Sequence, residues 1–202
     1  MGPTHFCGTA ASFRFQYSPK NIIMATTKIL FAGFGGQGIL FSGKFLAYYG
    51  LLADKNVSWL PSYGPEMRGG TASCSVILSD APVGSPIIDK PDVLIAMNLP
   101  SLDKYEDMVA PGGKIFVDSS LIERGVNRTD VEEYRIPATQ IASDNEMSGL
   151  ANMIMLGHVI AHTGVMPEDM IAPAMGKVVS AKKQHLLDLN IKAVQTGIDF
   201  KG

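Results

Sequence analysis

Apolar and polar positions change period several times along the chain, and each change marks an element. Lys28–Ala32 (K-I-L-F-A) reads as a buried strand, and Ile39–Leu52 reads as a helix. Lys55–Leu60 (K-N-V-S-W-L) is a second strand and Thr71–Leu78 (T-A-S-C-S-V-I-L) a third. The small side chains of strand three suggest that something packs close against it. The polar, Gly/Pro-rich loop Pro61–Gly70 between them is shorter than the dozen or so residues a parallel crossover usually needs, so strand three is expected to run antiparallel. A turn-rich stretch, Ser79–Pro91, leads to a buried strand at Val93–Met97 and a short helix at Ser101–Val109. Pro111-Gly112-Gly113 turns into the strand Lys114–Asp118, and Val131–Ile136 is a further strand. Pro137 suits the first position of a helix toward Asp144. The C-terminal third reads as helical. Leu150–Thr163 is apolar and closed by Gly164, Glu168–Met175 is disturbed by Pro173, and Ala181–Phe200 is long and amphipathic. Strands alternating with helices predict a three-layer, Rossmann-like α/β domain with a mostly parallel sheet and a helical C-terminal third. There is no internal repeat and no low-complexity tract.

The first strand ends in A-G-F-G-G-Q-G, where Gly33, Gly35 and Gly38 fit the dinucleotide spacing G-x-G-x-x-G. Unpaired N–H groups at the N-terminus of the following helix make a natural anion site. A nicotinamide or flavin reading also needs a carboxylate at the end of strand two to hold the ribose hydroxyls. That strand ends in Trp59-Leu60-Pro61-Ser62; Asp54 precedes it and Glu66 lies several residues beyond. Two readings remain for the turn: an anion site for some other phosphate, or a tight strand-to-helix turn that needs glycine only for packing. The second loop, Tyr63-Gly64-Pro65-Glu66-Met67-Arg68-Gly69-Gly70-Thr71, combines a ring, a carboxylate and a guanidinium with three glycines. It leaves the carboxyl end of strand two, where open α/β sheets gather ligands, and should neighbour the glycine turn. Asn98 and Asp118-Ser119-Ser120 follow strand ends and should line the same crevice. Glu66 and Arg68 equally suit an intraloop ion pair that fixes the turn.

Composition narrows the class. Hydrophobic residues make up 46% and charged residues 18% of 202 residues, below the ~25% charged that is typical, which hints at extra buried surface such as a subunit interface. A net charge of -2 without a Lys/Arg cluster disfavours nucleic acid. Two cysteines, Cys7 and Cys74, exclude a disulfide framework, favour a reducing, cytoplasmic setting, and are too few for an iron–sulfur cluster. No apolar run reaches the ~18 residues of a membrane helix. Residues 1–23 are read as a disordered, dispensable extension before a single domain at 24–202, although their acid-poor composition also suits an organellar transit peptide. His158 and His162 stand at i and i+4 but lack a third ligand, so they read as polar positions at a helix end. Ser119 and Ser120 lack a G-x-S-x-G setting for a hydrolase nucleophile. The methionines of N-M-I-M-L (Asn152–Leu156) read as core or interface.

Several segments in order resemble the gamma subunit of 2-oxoacid:ferredoxin oxidoreductases: Ala32–Ala47 (A-G-F-G-G-Q-G-I-L-F-S-G-K-F-L-A), Trp59–Ala72 (W-L-P-S-Y-G-P-E-M-R-G-G-T-A), Asp92–Leu102, Ile136–Ala142 and Ala151–Gly157. The similarity spans roughly Thr27 to Phe200. It implies a subunit of a complex that decarboxylates a 2-oxoacid on thiamine diphosphate, passes electrons through iron–sulfur clusters to ferredoxin, and forms an acyl-CoA. Thiamine diphosphate, magnesium and the clusters would sit on partner alpha, beta and delta subunits, with coenzyme A as co-substrate. The chain alone would be catalytically inert, with no nucleic acid or membrane partner. The motif Trp59–Ala72 looks most like subunits acting on 2-oxoglutarate; branched-chain 2-oxoacid and indolepyruvate enzymes are the neighbouring alternatives, and a stand-alone nucleotide-binding Rossmann-type protein is the other class. The residues expected to face ligand or active site are Gly33, Gly35, Gly36, Gln37, Gly38, Tyr63, Gly64, Glu66, Arg68, Gly69, Gly70, Thr71, Asn98 and Ser119. Among them, Arg68, the glycine-turn amides and Gln37 are expected to favour an incoming anionic group.

Overall fold

The computed structural model describes residues 25–63, 71–179, 184 and 186–201. The expectations for residues 1–23 and for Gly64, Glu66, Arg68, Gly69 and Gly70 therefore lie outside the described residues, as does the side chain of Tyr63.

The strands are β1 (Thr26–Phe34), β2 (Asn56–Tyr63), β3 (Thr71–Ser79), β4 (Val93–Ala96), β5 (Lys114–Asp118) and β6 (Glu132–Ile136). They form one sheet in the order β2-β3-β1-β4-β5-β6. β1, β4, β5 and β6 pair in parallel, while β3 runs antiparallel to both β1 and β2. The short linker before β3 fixes this reversal, as its length predicts. β3 alone opposes the rest, so every other strand ends on the same edge. That edge carries the glycine turn, the loop after β2, Asn98 and Ser119.

Each sheet face has its own core because side chains alternate along a strand. On one face Ile29, Phe31, Cys74, Val76, Ile95 and Phe116 pack under five helices. These are α1 (Ile39–Leu52), α3 (Ala138–Asp144), α4 (Ala151–Thr163), α5 (Ile171–Val178) and α6 (Leu187–Ile198). On the other face Leu30, Ala32, Leu94, Ala96, Ile115 and Val117 pack under α2 (Leu99–Tyr105) and the segment around Ile122. The two helical layers are unequal, and the C-terminal third supplies most of the heavier one.

The small residues of β3 do admit a close neighbour. A Cβ on Gly43 of α1 would collide with Cys74 Sγ, and one on Gly50 would lie 2.6 Å from Leu78 Cδ2, so α1 lies hard against the sheet. A second close approach joins α4 and α6. A Cβ on Gly157 would overlap the Val194 carbonyl oxygen, and one on Gly197 would overlap that of Ile154. These two backbones touch with no side chain between them.

Two local readings change. Pro173 does not disturb its helix: a 3-10 turn at Glu168–Met170 runs into α5, and Pro173 is its third residue, where the missing N–H would have no intrahelical partner. His162 is exposed in the last turn of α4 and is a polar position at a helix end, but His158 is not. His158 is 4% exposed and stands edge-on to Phe116, His162 and Phe200, with centroids 5.9, 4.4 and 5.6 Å away. Burial lowers the His158 pKa to about 4, assisted by the neighbouring His162, and its Nδ1 has no hydrogen-bond partner among the described residues.

Candidate functional site

The turn between β1 and α1 is held by two carboxamides. Gln37 Oε1 accepts from the Phe34 N–H at 2.7 Å and from Asn98 Nδ2 at 3.3 Å, and Gln37 Nε2 donates to the Met97 carbonyl at 2.9 Å. This side chain ties the end of β1 to the end of β4, across the crevice where the crossovers diverge to opposite faces of the sheet. From the other side Asn152 of α4 donates to the Gly38 carbonyl at 3.1 Å and to Ser42 Oγ at 3.0 Å.

The glycines follow from these braces. A Cβ on Gly33 would stand 2.7 Å from Gln37 Oε1, and one on Gly38 would stand 2.5 Å from Asn152 Nδ2. Gly38 has φ +75° and Gly36 φ +100°, both costly for a side chain. Gly36 has nothing within 4 Å of its missing Cβ and is exposed. Packing thus explains Gly33 and Gly38, whereas Gly36 lies open at the apex. Gly38 also caps α1 without any side-chain hydrogen bond, and the first turn of α1 holds no acidic residue. Its leading N–H groups have no intrahelical partner and face the turn.

The other anticipated residues divide into two sets. Tyr63 pairs with Ala72, and Ala72 with Gly33; Thr71 pairs with Phe34. Both ends of the loop after β2 are therefore seated beside the glycine turn, as expected. Asn98 points inward instead: it is 3% exposed, and its Oδ1 caps α2 by accepting from the Ser101 N–H at 2.9 Å. Ser119 is half-buried at the end of β5, where its N–H donates to the Ile136 carbonyl. The buried carboxylate beside it, Asp118, accepts from Thr139 Oγ1 at 2.5 Å, the Thr139 N–H at 3.2 Å and the Ser120 N–H at 3.1 Å. Asp118 thereby anchors the start of α3 to the sheet.

Three cavities meet at the turn. One of about 330 Å³ lies over the α1 N-terminus between Phe34, Gly35, Gly36, Leu40 and Ala72. A second, about 370 Å³, runs between Gly36, Gln37, Leu121, Thr139, Ser143 and Gly149. Leu121 (45% exposed) lines this second cavity, and Leu99 (38% exposed) follows Asn98 on the same edge of the sheet. The third lies behind Gly38, among the helices. Sequence reading missed Asn152, Thr139, Ser143 and Gly149. One signal was available: Asn152 is a lone carboxamide inside the apolar run A-N-M-I-M-L. Among the described residues no three His, Cys, Asp or Glu side chains come together as metal ligands.

The sequence profile of pyruvate ferredoxin/flavodoxin oxidoreductase matches residues 28–200. The chain belongs to this oxidoreductase family. It is 35% identical over 159 residues to the 2-oxoglutarate synthase subunit KorC of Methanocaldococcus jannaschii, covering 77% of this chain and 85% of that one. It is 40% identical over 175 residues to the ketoisovalerate oxidoreductase subunit VorA of Methanothermobacter thermautotrophicus, covering 86% of this chain. The chain spans only 36% of the length of that relative. The fold matches the gamma subunit of the keto/oxoacid ferredoxin oxidoreductase of Geobacter sulfurreducens with a TM-score of 0.75 and 30% identity, covering 87% and 95% of the two chains. It also matches 30% of a chain of the 2-oxoglutarate:ferredoxin oxidoreductase of Magnetococcus marinus, with a TM-score of 0.77, 26% identity and 85% of this chain covered. That structure holds 2-oxoglutarate, coenzyme A and succinyl-CoA. Within the oxidoreductase family the chain is thus gamma-like.

Proposed function

We propose that this chain is the gamma-type subunit of a coenzyme A-dependent 2-oxoacid:ferredoxin oxidoreductase, inert by itself and active with alpha, beta and delta partners. 2-Oxoglutarate is the favoured substrate by its motif, and a branched-chain 2-oxoacid is the second reading, supported by the 40% identity to the ketoisovalerate subunit. Thiamine diphosphate, magnesium and iron–sulfur clusters belong to the partners. The residues here do not suit those groups: the cysteines number two, and Cys74 is buried with its thiol pushed up to about 12 by desolvation. No step of the reaction is therefore assigned to them on this chain.

The observation that carries the reading is the open apex of the glycine turn. Gly36 is free of packing, and it borders a cavity over unpaired α1 amides. Amides at a helix N-terminus attract phosphate. Coenzyme A brings phosphates and a mobile arm, so the turn anchors the phosphates while the thiol reaches the partners' active site. Gln37 and Asn152 act as braces that keep the amides aimed outward. The two ends of the loop Tyr63–Thr71 are seated beside the glycine turn, and Arg68 in that loop is our candidate for a cation that meets the incoming anion. Leu99 and Leu121 suit the edge of the contact with a partner subunit.

The test is reconstitution. The chain is expected to co-purify anaerobically with its partners and a brown chromophore. The complex should reduce ferredoxin only with a 2-oxoacid and coenzyme A, and side-by-side rates with 2-oxoglutarate, ketoisovalerate and pyruvate separate the substrate readings. Arg68→Ala is expected to raise the coenzyme A KM. An unchanged KM and turnover would remove the loop from the site, and a colourless homo-oligomer would overturn the whole proposal.

A further inference from the structure

The two edges of the sheet are built differently. β2 is the outermost strand on one side, eight residues long, and Asn56–Tyr63 (N-V-S-W-L-P-S-Y) holds no charged residue. The opposite edge, β6 (E-E-Y-R-I), carries Glu132, Glu133 and Arg135. Charges of that kind keep an edge from pairing with another strand, and β2 has none. Among the described residues no strand lies beyond β2, so alternate backbone groups along it point outward unpaired.

Its side chains are equally open. Trp59 is 38% exposed and Leu60 41%. Trp59 lies on the α1 face: it pairs with Val76, and a Cβ on Gly43 of α1 would stand 3.2 Å from its Nε1. The indole N–H end turns inward to Cys74, which leaves the hydrocarbon part of the ring facing out. Leu51 follows Gly50, which packs on Val57 of β2, and Leu51 is 59% exposed. The outer side of β2 therefore joins an open hydrogen-bonding edge to apolar side chains on the α1 face.

The chain itself holds a matching segment. The family profile begins at residue 28, so residues 1–24, which lie outside the described residues, also stand outside what family membership explains. They contain S-F-R-F-Q-Y (Ser12–Tyr17), in which Phe13, Phe15 and Tyr17 recur with the period of two that suits a strand. Ala25 fixes where this segment enters the fold. Its N–H donates to Asp80 Oδ2 at 3.1 Å, and its carbonyl accepts from the Asp80 N–H at 3.2 Å. Thr26, Ser79 and Asn56 form one row across that end of the sheet. A strand outside β2 would lie three strand spacings from β1, about 15 Å. The eight residues 18–25 reach up to about 27 Å, so the link is long enough.

We propose that Phe13–Tyr17 adds to β2 as a seventh strand, antiparallel to it, with its three rings on the α1 face beside Trp59 and Leu51. The direction follows from the entry point, because the segment must arrive at the end of the sheet where β1 and β2 both start. In this register Phe13 stands opposite Trp59 and Phe15 opposite Val57, a pairing of aromatic and β-branched residues that stabilises sheets. The ladder ends before Pro61, which has no N–H to give. A second copy of the chain fits less well: two β2 strands paired along their length about a two-fold axis bring Pro61 into the ladder from both sides.

The test uses the full chain, whose sole tryptophan is Trp59. Hydrogen exchange read by mass spectrometry is expected to be at least tenfold slower over residues 56–60 in the wild type than in Phe15→Pro, a change that removes a ladder donor and lies outside the domain core. Acrylamide quenching of Trp59 is expected to rise at least twofold in the same variant. Neither measurement needs partner subunits, coenzyme A or a 2-oxoacid, so failure here is separate from failure of the function proposed above. Equal exchange and equal quenching in the two chains overturn the proposal. Protection that depends on protein concentration assigns the edge to a second copy, and protection that appears only with partner subunits assigns it to them; either result overturns the proposal as well.

Discussion

Replacing Gly197 by alanine separates two opposing effects at one position. Gly197 lies in α6, where alanine is the better helix former by about 1 kcal/mol. The added Cβ, however, would overlap the Ile154 carbonyl oxygen of α4 and stand 2.9 Å from the His158 backbone nitrogen. Both obstacles are backbone, so no rotamer change relieves them and the helices must separate. Overpacking of a tight core costs about 1–3 kcal/mol, and a backbone obstacle belongs at the upper end. The helices also lose contact at Ala193 and Val194, which are fully buried. Subtracting the propensity gain leaves a net loss of about 2 kcal/mol. For a domain of this size that lowers Tm by about 4–8 °C. Gly176 in α5 supplies the control, since nothing lies within 4 Å of its missing Cβ. Gly176→Ala is expected to raise stability by up to about 1 kcal/mol from propensity alone. Thermal and urea unfolding followed by circular dichroism read both variants. A Gly197→Ala chain that melts at or above wild type would refute the direct-contact account of the α4–α6 crossing.

Three more outcomes follow from buried groups. Because burial lowers the folded pKa of His158 to about 4 from 6.5, the unfolded chain takes up its proton first, so stability should hold above about pH 6.5 and decline toward pH 4; unfolding curves across that range should show it, with a flatter decline in His158→Phe, and an equal slope in both would remove His158 as the cause. His162, whose pKa is also lowered by burial and by Lys114, contributes to the same window. Arg124 donates to the 6%-exposed Glu106 at 2.8 and 3.1 Å, so Arg124→Met, which strands that carboxylate with little besides Asn127, should cost about 3 kcal/mol and more than Glu106→Met; denaturant midpoints in the reverse order would contradict the account. Cys74, fully buried with its thiol pushed up to about 12, should resist iodoacetamide at pH 8 until the chain unfolds, and rapid native alkylation at that peptide by mass spectrometry would contradict this.

Legibility followed the range of the interaction. The linker before β3 is local, so its length announced the antiparallel strand, and the small residues of β3 announced a close neighbour that proves to be α1 at Gly43 and Gly50. The capping glycine at 164 and the helix bounds of α1 were equally local. Contacts between distant segments were not visible. Gly157 and Gly197 are ordinary helix glycines in sequence, and only the fold makes each the neighbour of the other helix's carbonyl. The same holds for Asn152 reaching Gly38 across more than a hundred residues, and for His158, which reads as a polar position at a helix end but is enclosed by Phe116 and Phe200. The glycine spacing was legible as a turn, yet its physical cause is the pair of carboxamides pressed on Gly33 and Gly38.

The reversal of β3 also bears on how the family diversifies. It makes residues 64–70 the link between two antiparallel neighbours, β2 and β3, whose pairing runs up to Tyr63–Ala72. Lengthening or recomposing a hairpin tip leaves the sheet register untouched, and doubling a loop costs only about 0.6 kcal/mol in closure entropy. A crossover helix in that place would couple every such change to the core. The fold thereby isolates the segment beside the glycine turn as a place where the sequence can change without renegotiating stability.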